Sequence, residues 1–99
     1  MKTDSTASDP KMTTTTRIAL REFLDRPDVE LYGMRIARNT GLPTGTLYPI
    51  LIRLAAAGWL SSRREDIDEC QESRPLRTYY RLTDEGRAKA TDVLSHRPL

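Results

Sequence analysis

Ninety-nine residues, 37% hydrophobic and 30% charged with a formal net charge of +2, bound the chain to one globular domain with a modest core. One cysteine (Cys70) and one histidine (His96) exclude an internal disulfide and leave no ligand set for a structural zinc. The chain carries no GxxxxGK(S/T) or GxGxxG loop, no nucleophile elbow, no signal-peptide core and no apolar run that could span a membrane, so the expectation is a cytoplasmic, non-enzymatic protein without a cofactor.

Residues 1–13, "MKTDSTASDPKMT", are polar and aperiodic and read as a disordered tail before a domain at 14–97. "TTTTRIALREFL" predicts a first helix, capped by one of its threonines and ended by Pro27. Ala19, Leu20, Phe23 and Leu24 form its core stripe; Ile18 falls off that stripe and is a candidate for contact with another chain. "DVELYGMRIARNTG" predicts a second helix that starts between Glu30 and Tyr32 and stops at Gly41. Its core face holds Gly33, Ile36, Ala37 and Thr40, with Arg35 and Arg38 pointing away. "LPTGTLYPILIRLAAAG" predicts a third helix from Pro43 or Thr44 to the stop at Gly58, with Leu47, Ile50, Leu51 and Leu54 on one face.

"WLSSRRE" and "LRTYYRLT" then read as two β-strands, with Tyr80 and Leu82 facing the core and Trp59 packing beside it. The loop between them holds "EDIDECQE". Carboxylates around Cys70 favour its neutral thiol, and their spacing matches no calcium loop. Thr83 caps a fourth helix, "TDEGRAKATDVLSHR", with Asp84 and Glu85 at its positive end. The order is that of a mainly α, α+β winged helix-turn-helix: three helices, a two-stranded β-hairpin wing and a short C-terminal helix.

Charge distribution says more than net charge. From Leu31 to Arg64 there are five arginines (Arg35, Arg38, Arg53, Arg63 and Arg64) and no acid, which is what a polyanion-binding face needs. The third helix adds a local oddity. Pro49 removes a hydrogen bond in its second turn and presses on the carbonyl of Gly45, the residue whose backbone yields most readily. The face opposite the core, Gly45, Pro49, Ile52 and Ala56, is therefore stripped of bulk near the helix start. Thr44, Thr46 and Tyr48 flank it with groups that donate to phosphate or a base edge, and Pro49 and Ile52 suit a thymine methyl. The plainer alternative is a proline tolerated on a solvent face.

"LYGMRIARNTGLPTGTLYPILIRLAAAGWL" followed by "YYRLTDEGR" resembles the PadR-like family of bacterial winged-helix transcriptional regulators, over residues from about 16 to 90. The resemblance implies a homodimer that binds a two-fold operator in double-stranded DNA, usually as a repressor released by a small molecule or signal. It places Thr44, Gly45, Thr46 and Tyr48 at the DNA-facing start of the recognition helix, and Arg74, Arg77 and Tyr79 at wing positions. With Pro49, Arg38 and Arg53, these are the candidate DNA-binding residues. Ile52 and the alanines at 55–57 depart from the charged residues usual there, which shifts phosphate contact toward Arg38, Arg53 and the wing. Arg64 occupies an often aromatic strand position. The short fourth helix offers only Ala90, Val93 and Leu94 as a dimer stripe, so a dimer would draw on the first helix or on DNA itself. The alternative function is a winged-helix protein-interaction module, which the apolar outer face (Pro49, Ile52, Ala56) favours.

Overall fold

The computed structural model describes residues 10–65 and 77–95. Helix α1 (Thr14–Asp25) begins where Thr13 Oγ1 accepts the Thr16 N–H at 3.2 Å. Thr16, Ala19, Leu20 and Phe23 form its buried stripe, and Ile18 stays exposed. Met12, counted with the tail in the sequence, lies against the core. After Pro27 the chain turns into strand β1 (Leu31–Tyr32) and then helix α2 (Gly33–Thr40).

Strand β1 corrects two expectations. Residues 31 and 32 do not open the second helix, and the sheet has three strands, in the order β1-β3-β2, rather than two. Leu31 sits opposite Tyr80 and Tyr32 opposite Tyr79 on β3 (Thr78–Leu82), whose other edge pairs with β2 (Leu60–Arg64). All pairings are antiparallel. The physical reason is that a distant edge strand supplies backbone partners for this dipeptide, and the pleat buries Leu31 while turning Tyr32 out. Tyr32 keeps extended dihedrals as the N-cap of α2.

Helix α2 ends at Gly41, whose φ of 79° needs a residue without Cβ, and whose N–H donates to the Ala37 carbonyl at 2.8 Å. Two residues on, helix α3 (Thr44–Ala56) starts, with Pro43 as its N-cap. Leu47, Ile50, Leu51 and Leu54 are at most 3% exposed and meet Leu20, Phe23, Leu31 and Ile36 in the same core. Helix α4 (Asp84–Ser95) closes the described fold, anchored by Ala90 and by Arg17 Nη1, which donates to the Val93 carbonyl at 3.2 Å. Val93 and Leu94, expected as a dimer stripe, are partly buried against their own chain's core.

Trp59 is 3% exposed, as its packing role requires. The junction beside it is tight. Thr83 Oγ1 donates to the Gly58 carbonyl at 2.7 Å and accepts the Gly86 N–H at 2.8 Å, and the Thr83 N–H donates to the Trp59 carbonyl at 3.0 Å. A Cβ on Gly86 would come within 2.6 Å of the Trp59 carbonyl carbon. Backbone cannot swing aside, so Gly86→Ala should destabilise the domain by ~2 kcal/mol or more despite alanine's better helix propensity. A thermal melt followed by circular dichroism should show a midpoint about 8 °C or more below the parent; an unchanged or raised midpoint would mean that this junction has room to spare.

Candidate nucleic-acid interface

Helix α3 has two unlike faces. Opposite its buried leucines and isoleucine, Gly45, Thr46, Tyr48, Pro49, Ile52 and Arg53 are exposed, and Thr44 is half-buried. The Pro43 carbonyl accepts the N–H groups of both Thr46 (3.0 Å) and Leu47 (2.9 Å), so the first turn is shared between a tight and a regular bond. Pro49 lies inside the helix and has no N–H to give the Gly45 carbonyl.

The glycines separate by cause. Gly41 and Gly58 have positive φ, whereas Gly33 and Gly86 face atoms that a Cβ would strike. Gly45 has neither reason: its φ is not positive, and a Cβ there would meet nothing within 4 Å. No packing neighbour accounts for Gly45; its one backbone reason is to yield to the Pro49 ring, and it leaves the first turn of α3 bare toward solvent.

Arg38 projects from α2 and Arg53 from α3, both exposed and without an ion pair among the described residues; Arg35 and Arg64 are the same. Arg63 differs. Its Nε and Nη2 donate to the two carboxylate oxygens of Glu30 at 2.9 and 2.7 Å. The hydrogen bonds from Arg63 hold the Glu30 carboxyl below its ordinary range and push the guanidinium up. The acid-free run of sequence therefore has one of its five arginines matched by the acid immediately before it.

The same sheet face carries an aromatic cluster. Tyr32 and Tyr79 meet edge to face, centroids 5.6 Å apart, with the Arg77 guanidinium 4.1 Å from the Tyr32 centroid and Arg63 5.1 Å from that of Tyr79. Glu65 joins the strands at this point: it accepts the Arg77 backbone N–H at 3.0 Å and the Tyr79 hydroxyl at 3.4 Å. Arg77 and Tyr79 thus stand together at the base of the wing, each already in contact with neighbours. Arg74 and Cys70 lie outside the described residues, as does His96. Glu30 and Tyr32 were not among the expected site residues; only the pairing of β1 with β3 brings them beside the wing.

Tyr48, flanking the bare turn, is 42% exposed. Its ring lies over Gly33 at the start of α2. Among the described residues no group of three His, Cys, Asp or Glu could hold a metal ion, and no helix is long and apolar enough to cross a membrane.

A helix pair joined by a tight turn, followed by an antiparallel wing, defines a winged helix-turn-helix protein. Residues 29–92 match the Transcriptional regulator PadR-like family, and the chain belongs to that family. It is similar to a PadR family transcriptional regulator from Eggerthella lenta DSM 2243, at 25% identity and a TM-score of 0.66 over 83% of this chain and 70% of that one. The fold is shared with Bacillus subtilis PadR in complex with operator DNA (23% identity, TM-score 0.72, 90% of this chain and 51% of that one). It is also shared with overoxidized AbfR bound to DNA (24% identity, TM-score 0.66, 85% and 56%). The chain therefore spans only about half the length of the two DNA-bound proteins. No curated protein matches it in sequence.

The wing-base ion pair has a pH signature. Because the folded-state pKa of Glu30 is lowered, its contact with Arg63 favours the fold above the ordinary carboxylate range and is lost as pH falls through the lowered value. Both groups are exposed, so the effect on global stability is small. A side-chain carboxyl NMR titration should find Glu30 below the ordinary range, and Arg63→Ala should return it there.

Proposed function

We propose that the protein is a sequence-specific regulator of transcription that binds double-stranded DNA with helix α3 in the major groove. The observation that carries the reading is the bare start of α3: Gly45 with no packing neighbour, Pro49 inside the helix, and Thr44, Thr46 and Tyr48 around them. Unpaired N–H groups at a helix start attract phosphate, and small residues let the backbone approach it closely. The hydroxyls of Thr46 and Tyr48 can donate to a base edge or phosphate, and Pro49 and Ile52 present apolar surface to a thymine methyl. Arg38 and Arg53, exposed and without ion pairs among the described residues, fix register on the phosphates, with Arg74, Arg77 and Tyr79 serving the wing.

A homodimer places two α3 helices in successive major grooves ~34–36 Å apart and matches a two-fold operator. Such a protein represses by occupying its operator until a small molecule or other signal releases it, and works in the cytoplasm by binding rather than by catalysis. The membership in a family of transcriptional regulators and the DNA-bound state of two structures with this fold support the reading. A protein-docking role for the same face has one observation in its favour, the 62% exposure of Ile52.

Fluorescence anisotropy with the duplex upstream of the protein's own gene and a shuffled duplex, each at low and moderate salt, separates the two. Tighter, salt-dependent binding to the upstream duplex is the expected result. Arg53→Ala should weaken both duplexes alike and lower the slope of log affinity against log salt by about 0.9, the value for one phosphate contact. Absence of binding to either duplex at low salt would turn the search to a protein partner.

A further inference from the structure

We infer that Gly33 is a positioning residue for DNA binding: it provides the seat that fixes the Tyr48 ring at the edge of the reading helix. The inference rests on the DNA reading of α3 and adds to it a residue that does not itself face the DNA. Gly33 is buried at the first position of α2, and its φ is not positive, so the backbone there does not call for glycine. Alanine would favour the helix. The reason for glycine is steric. A Cβ on Gly33 would lie 3.1 Å from both Cδ1 and Cζ of Tyr48 and closer still to Cε1. The ring therefore rests against the Gly33 Cα, and there is no room for a methyl between them.

The Tyr80 phenol on β3 is pushed above its ordinary range, first by burial and then by the Tyr48 phenol, which lies within its electrostatic reach. Tyr48 itself rests on the start of α2 while remaining 42% exposed. A tyrosine has only two side-chain torsions, and both are set once the ring is seated, so the outward edge and hydroxyl are fixed before DNA arrives. Holding a contacting group in its bound geometry removes the ordering cost from the binding step. The atoms that a Cβ at position 33 would strike belong to the outer part of a half-exposed side chain rather than to backbone. The ring can swing away, and Gly33→Ala would displace Tyr48 without disrupting the core.

The test uses the full chain and a duplex selected from a random-sequence pool by the parent protein. Failure of that selection to enrich any motif would count against DNA reading as a whole, separately from the role of Gly33. With the selected duplex, Gly33→Ala and Tyr48→Ala should each lower affinity by about tenfold, the scale of a lost contact residue. Gly33→Ala should leave the salt slope unchanged, because Tyr48 is uncharged and neutralises no phosphate. In the Tyr48→Ala background the same change should cost nothing further, since its methyl then fills vacated space. Parent-like binding by Gly33→Ala, or losses that multiply in the double variant, would overturn the inference. If Gly33→Ala fails to fold, the Gly33→Ala/Tyr48→Ala double variant decides: recovery of the fold with the affinity of Tyr48→Ala supports the seat, and continued misfolding shows that the methyl strikes something other than the ring.

Discussion

Everything in this fold depends on helix α3 burying one face completely while leaving the opposite face bare. Leu47, Ile50, Leu51 and Leu54 are at most 3% exposed and touch the core contributed by α1, α2 and β1. Burying an aliphatic side chain contributes ~1.5–3 kcal/mol, so the four together exceed the ~3 kcal/mol that a proline costs in a helix interior. Tertiary burial therefore sets the helix, and propensity does not. That surplus is what permits Gly45 and Pro49 on the outer face, where a helix stabilised only by local interactions would not tolerate them. The outer face is free to be chosen for what approaches it.

The arginines are likewise not equivalent once folded. Arg35, Arg38, Arg53 and Arg64 are exposed without ion pairs among the described residues, whereas Arg63 is paired with Glu30 and the Arg77 guanidinium lies over the Tyr32 ring. The wing base is consequently a rigid mixed layer of aromatic rings, guanidinium groups and the carboxylates of Glu30 and Glu65. Arg35, Arg38 and Arg53 on the helix-turn-helix unit, and Arg64 on β2, present positive charge that is not already matched.

Tyr48 links helices α3 and α2. It flanks the bare turn of α3 and rests on Gly33 at the start of α2. Its ring is thus both a packing element of the helix crossing and a surface group, which explains why an exposed tyrosine sits beside a glycine that the backbone does not require.

Local signals were legible because their physics is local. The threonine caps at Thr13 and Thr83, the left-handed stops at Gly41 and Gly58, and the three-and-four spacing of α3 all act within a few residues, so their outcome can be read from neighbours in the chain. The motifs around Gly45, Pro49 and the wing strands pointed the same way, toward a winged helix-turn-helix with α3 as its outward helix. What only the tertiary structure decided involves partners far apart in sequence. Leu31 and Tyr32 became strand because β3, almost fifty residues later, offered a free edge. That pairing placed Glu30 against Arg63 and Tyr32 under Arg77, changing which charges remain available. Periodicity separates Gly33 from Gly45 by face, but what stands opposite each is decided only in the fold: an aromatic ring in one case and open space in the other. Periodicity and capping chemistry determine which segments form helices and which face turns inward; the contacts that assign each exposed residue its neighbours arise only when those segments meet.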